Sequence, residues 1–510
     1  MLAPAVHSRT PARTRFPRWL VPSLSDCLFL AILLWGFAAG NGWISLLSDG
    51  DTGWHIRTGE YILDTRSVPT HDLFSFSKAG EAWFAWEWLS DVAFAVLHRL
   101  WGLKGVVVFT GLVLSLAATM LYRYAVWCGA NVLAALLATL LATGASTVHY
   151  LARPHIFSIL GLTTTLWMLE RDRRHPSRAV WWLVPLMALW TNLHGGFLAG
   201  LACILFATAD RLAAMWRHLA LLASCSFVTL VNPYGWRLHQ HLAQYLTSDW
   251  IRQVVEEFQS PRFRSESMLQ FEILLFGGLA LTPILFQRKQ FAAVVMVVFW
   301  AHAALASTRH VPLYAIVAAP LIAAEVTWLW ARSSAHFGQG SVGGIPRDCL
   351  NDFSRGAGRT SVWVPVLLLC LSAFHWDWPE DFPSTKFPVR AVAKRAIVFV
   401  CARRILTTDQ WGDYLIYHLY PRGRVFVDGR SDFYGPGIGR QYLDLLNAAP
   451  NWEQTLNANA FDLALLPVDW PLVRLMECRT DWHIGYRDSQ AVLLEREANT
   501  GLNQKPKSAE

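Results

Sequence analysis

Charge is scarce in this chain: Asp, Glu, Lys and Arg together supply 16% of its residues, against about a quarter in an ordinary soluble domain. So little charge excludes an ordinary soluble enzyme. Cysteine is sparse too. The eight present are mostly scattered among apolar stretches without metal-type spacing, which excludes a cysteine-built zinc scaffold. Cys401 and Cys478 alone fall in the polar C-terminal tail, where a disulfide is permitted outside the cytoplasm; the sequence leaves open whether they pair. That tail has no glycine-rich nucleotide loop, no serine elbow and no zinc signature. No internal repeat of the kind that builds many transporters is visible.

What the chain has instead is apolar length. Hydrophobic residues make up 54% of it and aromatics 13%, in blocks of roughly 15 to 22 residues, the length of a spanning helix. The blocks run Ser25–Leu46, Lys104–Tyr124, Val132–Tyr150, His155–Leu169, Ala179–Asn192 and Phe197–Ala209. They continue through Leu219–Val231, Leu269–Phe286, Phe291–Ala306, Val311–Trp330 and Trp363–Phe374. The fold class expected is a polytopic α-helical membrane protein with about eleven spanning helices. The blocks at 155–169 and 179–192 are short enough to be re-entrant.

Positive charge orients the bundle. Arg9, Arg13, Arg15 and Arg18 precede the first block, and alternate loops carry Arg171, Arg173, Arg174 and Arg178, then Arg211, Arg217 and His218, then Arg288 and Lys289. A Gly- and Ser-rich linker adds Arg347, Arg355 and Arg359. The positive-inside rule then places the N-terminus in the cytoplasm and the protein in the inner membrane. It also accounts for the net charge of +7 without a nucleic-acid partner. The basic N-terminus could open a signal peptide, but its long apolar core without a small-residue cleavage site reads as an uncleaved span. An odd number of spans puts the C-terminus outside.

The expected organisation is a transmembrane domain over 1–376, with an outer loop at 47–103, and an extracytoplasmic α/β domain over 377–510. In the outer loop, Leu89, Val92, Ala93, Val96, Leu97 and Leu100 recur at helical spacing, opposite Glu87, Asp91 and His98. That pattern predicts an amphipathic helix lying on the membrane with its acids in water. In the tail, Arg424–Val427, Phe461–Leu466 and Ala491–Leu494 read as strands, with helices over Gln441–Leu446 and Trp452–Leu456.

Candidate chemistry gathers on the outer side. Asp49 and Asp51 form an Asp-x-Asp pair where the first span leaves the membrane, beside His55 and Arg57. Such a pair can share a divalent cation, Mg or Mn, or supply a base; a helix cap is the structural alternative. Asp72 is a further acidic candidate. Arg153, His155, His194, Arg309 and His310 sit at outer ends of spans, where topology demands no positive charge. Arginine grips phosphate through a bidentate fork and histidine can donate to it. Acids and bases together describe a site for an anionic, lipid-linked substrate in the outer leaflet.

Asp51, Trp54, Arg57 and Tyr61 resemble the acidic first-loop motif of oligosaccharyltransferases, and Trp411-Gly-Asp-Tyr-Leu415 resembles their WWDYG signature. The plan of acidic loop, amphipathic helix, multiple spans and outer tail is similar to that of the GT-C glycosyltransferases. These include protein O-mannosyltransferases and aminoarabinose transferases. The second Trp and the final Gly of WWDYG are absent, so recognition of an acceptor sequon is not implied. The resemblance implies a transferase taking a polyprenyl-phosphate-linked sugar to a glycan, lipid or protein acceptor. Asp51, Asp49 or Asp72 would be the catalytic carboxylate. Arg57, Trp411, Asp413 and Tyr414 would join the binding residues. Asp428 and Arg430 are further tail candidates. The rival readings are a non-catalytic subunit of a polysaccharide assembly machine and a transporter of lipid-linked or anionic solutes.

Overall fold

The computed structural model describes residues 20–38, 42–210, 215–265, 267–334, 361–373 and 378–497. The N-terminal arginines, Arg211, and the linker arginines Arg347, Arg355 and Arg359 lie outside them.

Each apolar block folds as helix. The first gives α1 (Leu24–Ala38) and α2 (Gly42–Leu46), and the outer loop gives α3 (Asp51–Thr65) and α4 (Trp88–Trp101). Then come α5 (Leu103–Trp127), α6 (Val132–Ala145), α7 (Ile156–Arg174), α8 (Leu183–Leu193), α9 (Phe197–Phe206) and α10 (Met215–Val228). A second long loop holds α11 (Trp236–Thr247) and α12 (Asp249–Val254), before α13 (Met268–Gln287), α14 (Phe291–Ala306), α15 (Val311–Ser334) and α16 (Trp363–Ala373). Among the described residues, four helices have the length and hydropathy to cross a membrane: Leu103–Trp127, Val132–His149, Met268–Gln287 and Thr308–Ser334. Leu24–Trp35, Phe197–Asp210 and Phe291–Ala306 are apolar but shorter. Of the eleven spans expected, four have spanning length and hydropathy among the described residues. The block at 155–169 runs into charge at Arg171, Arg173 and Arg174, and the block at 179–192 yields a helix of 11 residues.

The bundle closes around α15, which packs on α6, α13 and α14. Ala315, Ala318, Ala319 and Ala323 of α15 and Ala135, Ala138 and Ala142 of α6 are all buried, and small side chains let the two backbones approach.

The outer loop departs from expectation in one respect that matters. In α4, Val96, Leu100 and Trp101 are exposed, whereas Asp91 is 0% and Glu87, just before the helix, 8% exposed. The helix is amphipathic as expected, but its acids face the protein and its apolar side faces out. Gly59 makes this packing possible, because a Cβ there would strike the Asp91 carbonyl. Trp88 Nε1 donating to Asn192 Oδ1 (2.8 Å) and Ser90 Oγ to the Leu193 carbonyl (2.6 Å) tie α4 to the bundle. Tyr234 Oη, accepting from Ala85 N and donating to Pro69 O, ties the loop ahead of it.

The tail contains α17 (Val389–Lys394), α18 (Ala396–Cys401), β1 (Ile405–Leu406), α19 (Asp409–Leu419), α20 (Ser431–Leu446) and α21 (Trp452–Asn459). It ends with β2 (Leu463–Pro467), α22 (Pro471–Glu477), β3 (Trp482–Arg487) and β4 (Ala491–Arg496). The sheet has the order β1-β2-β4-β3, with β1 parallel to β2 and the other pairs antiparallel. The strand expected over Arg424–Val427 is absent: Val425 makes only isolated bridges, to Ser75 of the outer loop and to Ile405. Beyond it the chain turns away: Arg430 is bound to Asp428 and also to Asp72. Strand β3 was not expected, since it is mostly exposed and offers no apolar run. Cys401 and Cys478 are free thiols.

Candidate active site

A cavity of about 370 Å³ lies where the outer loop, the bundle and the tail meet. One end is polar, lined by Asp51, Glu87, Arg153, His194, Glu257 and Arg309. The other runs between apolar walls from α9, α14 and the start of α15, among them Leu198, Ala202, Phe299 and Leu313. Trp54, Trp83 and Trp86 flank the polar end.

Asp51 opens α3 but does not cap it: Gly50 is the N-cap, and Asp49 Oδ1 accepts from Asp51 N (3.0 Å). The Asp51 side chain is instead spent on the site. Its Oδ2 lies 2.7 Å from Arg153 Nη2, while Arg153 Nη1 reaches Asp49 Oδ2 (2.8 Å) and Glu257 Oε1 (3.0 Å). Backbone contacts hold the turn that carries Arg153 against the outer loop: Ala152 N donates to Leu46 O (2.7 Å) and Thr52 Oγ1 to Ala152 O (2.9 Å). Burial opposes ionisation of Glu257, but Arg153 outweighs it and holds the carboxyl well below its usual range.

Asp51 Oδ1 and Asp413 Oδ2 are both buried without another hydrogen-bond partner, and both border Gly429, where any Cβ would collide with Asp51 Oδ1. Burial pushes both carboxyls upward, and the Asp51 charge pushes Asp413 further. Two carboxylates this close do not both ionise, so they share a proton. Arg153 stabilises the anion at Asp51, while Asp413 has only the Gly429 N–H on Oδ1 (2.9 Å). These contacts favour the shared proton on Asp413, whose Oδ2 shares the Gly429 border with Asp51 Oδ1.

A second set lies across the cavity. His55 Nδ1 is 2.6 Å from Asp91 Oδ1, and Glu87 stands 3.7 Å from His55 Nε2 and 3.4 Å from His194 Nε2. Burial pushes Glu87 up to about 8 and Asp91 well above its ordinary value, and drives His55 toward its neutral form. The tautomer of His194 follows from its neighbours. Ser158 Oγ accepts from Trp190 Nε1 and so donates to His194 Nδ1, which also accepts from Gly196 N. His194 Nε2 then carries the proton and faces Glu87. Burial, with Arg309 and Arg153 nearby, depresses this imidazole to about 3.

Arg309 is the cation with most capacity to spare. It donates to Tyr245 Oη (3.2 Å), lies over the Phe258 ring at 4.3 Å, and forms no ion pair among the described residues. His155 Nε2–H donates to the His149 carbonyl, and His310 Nδ1–H donates to the Ala303 carbonyl (3.2 Å), leaving the other ring nitrogen of each without an assigned bond.

Of the residues expected from sequence, Asp51, Arg153, His155, His194, Arg309 and His310 line the cavity. Asp49 joins them through Arg153, Asp413 through Asp51, and His55 through Glu87. Asp72 does not: it accepts from Arg430 Nη2 (2.7 Å) and from Ser75 N and Oγ, which anchors Arg430 at the cavity wall. Arg57 turns to Glu60 and the Tyr417 carbonyl. Trp411 and Tyr414 face the tail's interior, on the Lys386 carbonyl and Asp381. The helical rotation of α19 explains the split, since residues one or two positions from Asp413 leave on other faces. Asp428 and Arg430 are buried and bound to each other. Glu257, His149, Trp83 and Trp86 were missed. The polar outer loop between the blocks ending at Val231 and starting at Leu269 was the available signal for Glu257.

The donor set does not suit a divalent cation. The guanidinium of Arg153 fills the space among Asp49, Asp51 and Glu257. No group of three or more His, Cys, Asp or Glu among the described residues is arranged to hold an ion.

No family model matches the chain, and no curated protein matches it in sequence. Solved structures do match in fold. The apo oligosaccharyltransferase of Archaeoglobus fulgidus is 12% identical, with a TM-score of 0.54 over 87% of this chain and 69% of that one. The oligosaccharyltransferase AglB from the same organism, in complex with an inhibitory peptide and a dolichol-phosphate, is 10% identical, with a TM-score of 0.57 over the same shares. ArnT from Cupriavidus metallidurans bound to undecaprenyl phosphate is 14% identical over 93% of this chain and 98% of that one, with a TM-score of 0.49. The chain has a GT-C-like fold.

Proposed function

We propose, from the premise of that fold, that this protein is a membrane glycosyltransferase taking its sugar from a polyprenyl-phosphate donor at the extracytoplasmic face. The observation that carries the reading is a single cavity that joins a paired carboxylate, an unpaired arginine and an apolar channel. Dolichol-phosphate in the AglB complex is the kind of molecule such a cavity would take. The prenyl chain would lie against Leu198, Ala202, Phe299 and Leu313, and the phosphate beside Arg309, His194 and His310. The sugar would then face the tryptophans and Asp51.

Transfer forms a bond from an acceptor oxygen to the anomeric carbon and breaks the bond from that carbon to the phosphate oxygen. Asp51, raised by burial to about 7 and with its anion stabilised by Arg153, takes the acceptor proton. Asp413 keeps its proton and holds Asp51 in place. The leaving phosphate departs with the bonding electrons, and Arg309 stabilises its charge in a site shielded from water.

The test is donor binding and turnover by the purified protein with a series of polyprenyl-phosphate sugars. A hydrogen bond to a charged group is worth about 1.5–3 kcal/mol, so Arg309→Ala should weaken donor binding by roughly 10- to 100-fold while the melting temperature stays near wild type. Unchanged donor binding in a folded Arg309→Ala protein removes the phosphate from this end of the cavity. Transfer from no polyprenyl-phosphate sugar, with binding intact, favours a non-catalytic lipid-binding role.

A further inference from the structure

The three carboxylates around Arg153 are arranged as ligands around a cation, and the cation is part of the chain. Asp49, Asp51 and Glu257 come from two separate outer segments and converge on one guanidinium at 2.7–3.0 Å. Hard divalent cations take oxygen ligands at about 2.0–2.6 Å and collect several carboxylates to balance two charges. A guanidinium brings one charge in a flat, fixed fork. It therefore leaves the carboxylates spread around its edge, with the guanidinium in the place an ion would take. The turn that carries Arg153 is held in place, because Ala152 is bonded to Leu46 and Thr52 of the first segment, and its guanidinium is held by the three carboxylates themselves.

We propose that Arg153 supplies, from within the chain, the positive charge that a divalent cation would bring to Asp49, Asp51 and Glu257, so that the site works without metal. The carboxylate whose charge catalysis needs is then neutralised by a residue rather than by an exchangeable ion. Arg153 becomes a positioning residue for Asp51 and not a ligand of the donor phosphate, which leaves that task to Arg309. The catalytic consequence rests on the transferase reading, but the binding consequence does not.

Mn²⁺ binding to the purified full-length protein, followed by electron paramagnetic resonance without any substrate, separates the two. The wild type should bind no Mn²⁺ that Asp49→Asn abolishes. Arg153→Ala should gain one Mn²⁺ per chain, lost again when Asp49→Asn is added, because three uncompensated carboxylates are a ready oxygen site. Mn²⁺ held by the wild type and released by Asp49→Asn overturns the proposal. So does a folded Arg153→Ala protein that gains no Mn²⁺. If Arg153→Ala fails to accumulate, the wild-type comparison with Asp49→Asn decides alone: Asp49-dependent binding overturns the proposal and its absence sustains it. A failed search for sugar transfer would leave all these outcomes readable.

Discussion

Replacing Asp413 by Asn should leave the reaction nearly intact, whereas the same change at Asp51 should abolish it. The two carboxyls are neighbours and equally buried, so burial alone predicts equal damage. The proton assignment predicts the opposite. Asp413 accepts the Gly429 N–H on Oδ1 and presents its other oxygen to Asp51. An asparagine keeps that acceptor and offers an amide N–H where the acid had its O–H. Exchanging one donor for the other costs on the order of 1 kcal/mol, a factor of about 5 in rate. Asp51→Asn removes the base itself and one of the partners of Arg153; loss of a general base costs about 10² to 10⁴. Asp413→Ala is intermediate in rate but informative in pH. It removes the donor that favours the Asp51 anion, so Asp51 protonates at higher pH and the acid limb of the rate profile moves up. In Asp413→Asn that limb stays put. The assay is initial transfer rate against pH for the four proteins, with folded fraction checked by size exclusion. An Asp413→Asn protein as inactive as Asp51→Asn would refute the assignment, because the negative charge of Asp413 would then be what the reaction needs.

Gly429→Ala should separate the same pair by steric means: its Cβ would strike Asp51 Oδ1 and come within 2.8 Å of Asp413 Oδ2. Overpacking of this kind costs about 1–3 kcal/mol, so a lowered melting temperature should accompany a loss of transfer, and a variant that keeps both would show the close approach to be dispensable. Glu87 gives a pH-dependent stability. Its carboxyl rises from the ordinary 4.5 to about 8 because of burial, so the folded state binds more proton than the unfolded one between those values. Stability must therefore fall as pH rises through that window, and Glu87→Gln, which keeps the neutral shape, should flatten that part of a thermal-melt profile against pH; an unchanged slope would mean that Glu87 is ionised in the fold.

Much of the architecture was legible because apolar block length and helical periodicity are local properties. The strand at Ala491 and the helix at Trp452 were readable for the same reason. The span count was less legible, since an apolar block does not announce where charge will cut its helix short, as Arg171 does. Asp51, Arg153 and Arg309 were legible because a charged residue at an outer helix end needs a reason. The orientation of α4 was not. Its pattern shows two faces but not which of them meets the rest of the protein: Asp91 and Glu87 are buried while Val96, Leu100 and Trp101 are exposed, the reverse of the rule for soluble proteins. Asp413 and Asp72 show the other limit. Both were candidates, yet only contacts more than 350 residues apart in sequence, Asp72 with Arg430 and Gly50 with Gln410, decide which one is set beside Asp51.

Those long-range contacts also explain why the chemistry sits at a seam. Burying an ion costs several kcal/mol unless its partner arrives with it. Arg430 takes Asp428 from its own turn but Asp72 from the outer loop. Arg153 takes two carboxylates from the first outer segment and one from the second. Asp51 takes its proton donor from the tail. In each case a segment alone would bury a charged side chain with only some of its partners, and docking of the others supplies the rest. The network is thus weak as a source of stability but strict about register: outer loop, span-end turn and tail must all be seated before every member is satisfied. A site assembled in this way holds Asp51, the carboxylate proposed as the base, away from water and oriented only when the walls that exclude water are already in place. Exposed to water, the same carboxylate would be an ordinary solvated acid with little basicity to offer.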